Sequence, residues 1–273
     1  MIKYLFLSLL IGFLFIIGLG AYERHFIGIH GYGIADVINF DYSKEPNPCS
    51  VRYKGSIEIV SVDSDSSNNA ERQIDDYRMY RLCQVVGGEL QSLPDAVANV
   101  LKKIIFTKVF RSGDVIAAGT YDASEHSITI GSEDGDDDFY SDLFIRGTFH
   151  HELSSFIVHS SVFDVKTWRD LEPSGFEYPS AKDFFYTSKY LAGYIKIEPA
   201  EFYYQQGLVS DYGTTGVEND FNEYARLVFT EPARMTALID QYPQIKKKYL
   251  YFKQVYLDFD KGFQPFFDKI DAG

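Results

Sequence analysis

The stretch from Thr148 to His159 constrains the fold most strongly, because it places titratable side chains inside an apolar run. It reads T-F-H-H-E-L-S-S-F-I-V-H and holds three of the six histidines of the chain. Ser141 or Asp142 stands where an N-terminal capping residue is expected, and Pro does not interrupt the run. The sequence therefore predicts a buried helix that continues to about His159.

His151 and Glu152 are the first two residues of the metal-binding helix pattern H-E-x-x-H. Two histidines four residues apart lie on one helix face and can bind one zinc ion, and the glutamate can activate a metal-bound water. Ser155 stands where the second histidine belongs, and a serine hydroxyl is a poor zinc ligand. His159 lies about 12 Å further along the helix axis than His151, and His150 points about 100° away around it. A metal site here needs a ligand from elsewhere; the alternative is an ordinary buried helix with hydrogen-bonded histidines.

The N-terminal residues 1–21 carry one lysine followed by a run without charge. A run of about 18 such residues is expected of an export signal or of a membrane anchor. Both alternatives place the body of the protein outside the cytoplasm, either secreted or periplasmic, or anchored with an extracytoplasmic domain.

Cys49 and Cys83 are the two cysteines of the chain. In an exported protein an even number of cysteines predicts a disulfide, although two buried free thiols are the alternative. The bond would close a loop of about 34 residues and contribute roughly 3–4 kcal/mol. The net charge of −13 disfavours binding to nucleic acid, because such a surface repels phosphate groups.

The remaining patterns predict an α+β fold. We expect an N-terminal extension with a few strands over residues 22–91 and a second domain over residues 92–273. The acidic run Glu133 to Asp138 is expected to be a solvated loop rather than a calcium site. The patterns favour a strand within 51–62, a polar loop at 63–69, an element of open type at 70–86, a helix opened by Ser92 with its apolar face reaching Ile105, strands at 106–110, 117–121 and 127–131, and helices at 217–229, 232–242 and 243–259.

The segment from Tyr212 to Phe229 reads Y-G-T-T-G-V-E-N-D-F-N-E-Y-A-R-L-V-F and resembles the glutamate helix of the gluzincin metallopeptidases. The block A-A-G-T-Y-D-A-S-E-H-S-I-T-I-G, from Ala117 to Gly131, is similar to their edge strand, which pairs with an extended substrate. With the His151–Glu152 pair, the order of these segments resembles the zincin fold of the group that includes the catalytic domain of anthrax toxin lethal factor. The resemblance covers residues 92–258.

This resemblance implies a zincin-like fold, with a small mixed sheet, a signature helix and C-terminal helices, and it implies zinc as cofactor. His151 would be the first ligand and Glu152 the general base, with Tyr212 as an assisting hydroxyl. The third ligand is open between Glu218 and Glu223. The positions that accompany or depart from the pattern are His150, Ser155, His159 and Asn219, of which Asn219 stands where the ligand glutamate belongs.

Two functions are compatible with these residues. The first is an exported or membrane-anchored zinc metallopeptidase, a hydrolase with an altered ligand set, that holds an extended peptide or protein substrate along residues 127–131. The second is a catalytically inactive zincin-fold protein that binds peptide or cell-envelope material. If the N-terminal segment is not cleaved, the membrane is a further partner.

Overall fold

A computed structural model describes residues 53–61, 74–112, 115–133, 139–178 and 199–272, and the chain has an α+β fold, as expected. The expectations for residues 1–21, for the polar loop at 63–69 and for Cys49 fall outside the described residues. Among the described helices, none has both the length and the apolar character needed to cross a membrane.

The sheet has four strands in the order β1-β2-β6-β5, and a separate hairpin is formed by β3 and β4. Strands β1, β2 and β6 are parallel, with Ile104 opposite Ile128, and β5 runs antiparallel to β6. The strand at 127–131 is therefore interior, and the expectation that a substrate lies along it is wrong. Strand β5 is an edge of the sheet that the described residues form. The strands are β1 (Glu58–Ser61), β2 (Lys103–Thr107), β3 (Phe110–Ser112), β4 (Val115–Ala117), β5 (Gly119–Asp122) and β6 (Ser127–Gly131).

Helices form most of the remaining described chain, and their ends follow the expected signals. Ser141 accepts a hydrogen bond from the backbone N–H of Phe144 and caps the signature helix, and prolines stand in the first turn of α7 and α8. The helices are α1 (Asp76–Ser92), α2 (Val97–Val100), α3 (Asp142–Val158), α4 (Val165–Asp170), α5 (Ala200–Gln205), α6 (Val217–Thr230), α7 (Pro232–Gln241), α8 (Pro243–Phe259) and α9 (Gln264–Asp271).

The prediction of a helix that begins at Ser92 and reaches Ile105 is wrong. Only the single turn α2 is helical, Leu101 is extended, and Ile104 belongs to β2. The apolar residues fit a helix face, but they also fit a strand covered on both sides of a parallel sheet, and Ile104 and Phe106 are fully buried there. Residues 103–107 form a strand and not a helix because they pair with β1 on one side and β6 on the other.

The sequence left open whether residues 70–86 form a helix or a strand. They are helical from Asp76 onward, and this helix, α1, buries Cys83. Cys83 is disulfide-bonded, but its predicted partner Cys49 lies outside the described residues, so the pairing stays a prediction. The hydrophobic core includes residues on both sides of the predicted boundary at residue 92.

The expectation that Glu133 to Asp138 form a solvated loop is wrong for the first residue, Glu133. Its carboxylate is buried and lies 2.6 Å from the guanidinium of Arg78 and 3.3 Å from the ammonium group of Lys108. Residues 134–138 fall outside the described residues.

The two central helices, α3 and α6, pack against each other more extensively than any other pair of described elements, and α3 also contacts β5 and β6. This packing brings the His151–Glu152 segment between the edge of the sheet and the Tyr212–Phe229 segment.

Candidate functional site

A cleft of about 350 Å³ lies between the edge of the sheet and α3. One wall is the chain from β4 into β5, the opposite wall is α3, and the chain around Tyr212 with the middle of α6 closes the third side. The side chains and backbone that line it belong to Ile116, Ala117, Ala118, Gly119, Tyr140, Phe144, Thr148, His151, Glu152, Ser210, Asp211, Tyr212, Glu223 and Arg226.

Gly119 allows α3 to lie directly against the edge strand. A Cβ atom at this position would lie 2.7 Å from the backbone oxygen of Thr129 and 2.9 Å from the Cγ2 atom of Thr148. It would also lie 3.3 Å from the Cγ atom of Glu152. The absence of a side chain therefore sets the width of the cleft beside Glu152.

His151 and Glu223 form a buried pair, with the Nδ1 atom of His151 3.0 Å from Oε1 of Glu223. The other oxygen of Glu223 accepts a hydrogen bond of 3.2 Å from Arg226. Burial by itself would raise the pKa of Glu223, but the charge of Arg226, the contact with His151 and a hydrogen bond from Ser210 together lower this pKa to about 2. Burial by itself would lower the pKa of His151, but the bond to Glu223 and the charge of Glu152 outweigh it and raise this pKa. Both shifts favour the charged form of the pair, an imidazolium next to a carboxylate.

Ser155 is bonded to a residue that the sequence did not single out. The Nδ2 atom of Asn222 donates a hydrogen bond of 2.8 Å to the Oγ atom of Ser155. Both side chains are about 1% exposed. The position of the missing second histidine is thus filled by a neutral, buried hydrogen bond between α3 and α6.

Glu218 and Asn219 do not join the His151–Glu223 pair. Glu218 lies 3.1 Å from the Nε2 atom of His159, near the end of α3, and also contacts Tyr121. Asn219 donates a hydrogen bond of 2.7 Å to Thr215, within its own segment.

Three contacts follow one face of α3 and its C-cap at intervals of four residues, because residues four apart lie on the same side of a helix. Their partners on α6 come in reverse chain order. The contacts join His151 to Glu223, Ser155 to Asn222, and His159 to Glu218. The two open candidates for a third ligand are thereby separated: Glu223 meets His151, and Glu218 does not.

Glu152 and Tyr212, the predicted base and assisting hydroxyl, both line the cleft. Burial raises the pKa of Glu152 to about 7; the charge of His151 opposes this shift, and Glu218 and Glu223 add to it. Burial and the nearby charge of Glu152 raise the pKa of Tyr212, so this phenol is neutral. The rings of Tyr212 and His151 lie 5.7 Å apart.

His150 faces away from the cleft and takes no part in it. Its Nε2 atom lies 2.8 Å from Glu89, which also contacts Arg146, and its ring stacks on Phe229. Burial lowers the pKa of His150. This residue is a buried, hydrogen-bonded core histidine.

The donor set in the cleft does not fit a catalytic zinc ion. Such an ion requires three strong protein ligands and an open position for water. His151 and Glu223 are two suitable donors, but Ser155 and Asn222 offer only neutral oxygen and amide groups that bond to each other. Among the described residues, no group of three His, Cys, Asp or Glu side chains is arranged to hold a metal ion.

Asn222 and Arg226 are the site residues that sequence reasoning missed. A signal for Asn222 was present: the gluzincin helix that Tyr212–Phe229 resembles carries the pattern E-D-F-A-E, and Asn222 stands where this pattern has its alanine. A polar residue there faces Ser155, so this chain departs from the zincin pattern at both ends of one contact. Arg226 follows Glu223 by three residues, the spacing of helix neighbours that can form an ion pair.

No protein-family model matches the chain, and no curated protein matches it. Among solved structures the chain is similar to a protein from Bacteroides caccae described as a "putative zinc-binding metallo-peptidase". The two are 14% identical, the similarity covers 89% of this chain and 97% of the other, and the TM-score is 0.46. This likeness is distant and concerns the fold; it does not decide function.

Proposed function

We propose that this chain is a peptide-binding module on a zincin-like α+β fold, and that it holds an extended peptide in the cleft without a zinc ion. The observation that carries the proposal is the Asn222–Ser155 hydrogen bond, which occupies the position of the second histidine ligand. The guanidinium of Arg226, together with the ring of His151 whose pKa is raised, supplies next to Glu223 the positive charge that a metal would bring.

The edge strand supports an extended peptide as the ligand. Strand β5 pairs with β6 on one side and is the last strand of the described sheet. The backbone N–H of Gly131 donates to the oxygen of Ala118, so the alternation of an antiparallel ladder directs the backbone groups of Gly119 and Tyr121 to the other side. An extended chain can pair with such groups, and side-chain contacts along α3 then give selectivity.

The walls of the cleft suit a peptide rather than a small polar ligand. Tyr140 and Phe144 line one part of it, and Tyr212 covers another. Aromatic side chains of this kind contribute large contact areas at interfaces. On the basis of the N-terminal apolar run, we further propose that the folded part of the chain, with this cleft, lies outside the cytoplasm.

The proposal is tested by binding of the purified full chain to fluorescently labelled extended peptides, in buffer with a metal chelator and in buffer with added zinc. We expect the same affinity in both buffers and intact peptide by mass spectrometry. Ile116→Trp fills the cleft wall and should weaken binding more than tenfold. Leu143→Trp adds the same side chain at an exposed position of α3 that does not line the cleft, and is the matched control.

Two outcomes contradict the proposal. Cleavage that requires zinc and is lost in His151→Ala would identify the chain as a metallopeptidase with an altered ligand set. Equal peptide affinity in the Ile116→Trp and Leu143→Trp variants would show that the peptide does not occupy the cleft.

A further inference from the structure

A buried cluster away from the cleft contains one lysine and two carboxyl groups. Lys248 of α8 contacts the Oδ2 atom of Asp220 on α6, and its Nζ atom lies 2.8 Å from Oε1 of Glu172. Lys248 and Asp220 are fully buried, and the side chain of Glu172 is 5% exposed. Buried carboxylates and ammonium groups are rare, because removing their charges from water is unfavourable.

Aromatic side chains enclose this cluster. The Nζ atom of Lys248 lies 4.7 Å from the ring centre of Trp168 and 5.6 Å from that of Tyr224. The indole N–H of Trp168 donates a hydrogen bond of 2.8 Å to Oδ2 of Asp220. The hydroxyl of Tyr178 contacts the same oxygen and also Oε1 of Glu172.

The contacts of Tyr178 favour one proton shared between the two carboxyl groups. A phenol has one hydrogen, so it can donate to only one of the two oxygens that it contacts. The other contact is favourable when that carboxyl group is protonated and donates to the phenol oxygen. With one such proton the lysine and the two acids are together electrically neutral, which a dry interior favours. Burial raises the pKa of both Asp220 and Glu172, in agreement with this count.

We propose that Lys248 and Asp220 react with each other in the folded chain to form an intramolecular amide, an isopeptide bond, with Glu172 as the proton carrier. The nucleophile and the carboxyl group are held in contact, a third group that can accept the proton is in reach of the nitrogen, and bulk water is excluded. Contact and orientation of this kind lower the barrier to a reaction that is slow between free groups.

The reaction balances without any further reactant. Glu172 accepts one proton from the ammonium group of Lys248, and the free amine attacks the Cγ atom of protonated Asp220. The shared proton lies on Oδ2 of Asp220 in this step and is donated to the phenol oxygen of Tyr178. Glu172 then protonates the hydroxyl on Oδ2 through the phenol of Tyr178, which contacts both oxygens, and this hydroxyl leaves as water. Glu172 also takes the second proton that the nitrogen loses. One C–N bond forms, one C–O bond breaks, and nothing is oxidised or reduced.

The product would join α6 to α8 covalently and remove two charges from the core. Asp220 lies three positions before Glu223, which lines the cleft, and two before Asn222, which donates a hydrogen bond to Ser155. The bond would thus fix the helix that carries one wall of the cleft. This inference does not depend on peptide binding.

The test is the mass of the full chain, denatured and with disulfides reduced, followed by a tryptic peptide map. We expect a mass lower by one water than the sequence gives, and a branched peptide that contains both Asp220 and Lys248, since trypsin does not cleave after an acylated lysine. Lys248→Arg keeps the positive charge and should have its full mass. Asp220→Asn should form the same amide with loss of ammonia instead of water.

Glu172→Gln keeps the size of the side chain but cannot accept the proton, and it should also show its full mass with an unchanged circular dichroism spectrum. Recovery of the Lys248 peptides only in unmodified form from the wild-type chain would overturn the proposal. Because the wild-type peptide map alone gives this answer, failure of any variant to fold does not leave the question open.

Discussion

The hydrogen bond between Asn222 and Ser155 should have a measurable coupling energy. Ser155→Ala removes the acceptor and leaves an N–H of Asn222 buried without its partner. The Oδ1 atom of Asn222 is already buried with no hydrogen-bond partner among the described residues, so the amide has little alternative. A buried donor left unsatisfied costs about 1–3 kcal/mol, and with both side chains about 1% exposed we expect the upper half of this range.

Asn222→Ala should destabilise less through hydrogen bonding, because a helical serine hydroxyl can donate to the carbonyl four residues earlier. The cavity that it leaves adds a further cost, for a total of about 1–2 kcal/mol. The double variant removes both partners, so its cost should fall short of the sum of the single costs by about 1 kcal/mol.

Urea unfolding followed by fluorescence of Trp168, the one tryptophan of the chain, measures these energies. Ser160→Ala in place of Ser155→Ala is the control, since the hydroxyl of Ser160 bonds to the carbonyl of Ile157 and not to α6. That control should be additive with Asn222→Ala. Additivity of Ser155→Ala with Asn222→Ala within about 0.3 kcal/mol would refute the reasoning.

Three further predictions concern the cleft. Glu152→Gln should raise the free energy of unfolding at pH 8 but not at pH 4, because the pKa of Glu152 is raised from 4.5 to about 7 and its charged form is disfavoured only above that pH. Partial exposure of the side chain reduces the expected gain from about 3 kcal/mol to about 1 kcal/mol. Equal stability of the variant and the wild-type chain at pH 8 would contradict the shift. Glu223 has a lowered pKa, so its contribution to the free energy of unfolding is complete above pH 4.5 and is lost as the pH falls towards 2. In Glu223→Gln the free energy of unfolding should therefore change less with pH on the acid side. An unchanged pH dependence would show that Glu223 does not cause the acid loss of stability. Gly119→Ala should destabilise by about 1–3 kcal/mol in urea unfolding because of overlap with Thr129 and Thr148, while a neutral effect would show that α3 can move away from the strand.

Local signals in the sequence were sufficient for most helix boundaries. Ser141 caps α3, and the prolines at the starts of α7 and α8 fix where those helices begin. They were not sufficient at Ile104 and Ile105, because an apolar run in the middle of a parallel sheet has no period that separates it from a helix. The assignment there depends on pairing with β1 and β6, which local patterns do not contain.

The candidate site could be predicted only in part, because its contacts join positions far apart in the chain. His151 and Glu223 are 72 residues apart, and their contact depends on the register of α3 against α6. That register decides that Glu223, and not Glu218, faces His151, and that Ser155 meets Asn222 rather than Asn219. Both helices were predicted from the sequence, but their relative displacement by one turn was not.

Zinc binding tests the central claim most directly. The full chain is dialysed against zinc and then against zinc-free buffer, and the metal retained per chain is measured by elemental analysis. We predict no stoichiometric zinc in the wild-type chain or in His151→Ala, and about one zinc per chain in Ser155→His combined with Asn222→Ala, which adds the missing ligand one helical turn from His151. One zinc per wild-type chain that is lost in His151→Ala would contradict the claim that the Asn222–Ser155 hydrogen bond, and not a zinc ligand, occupies this position.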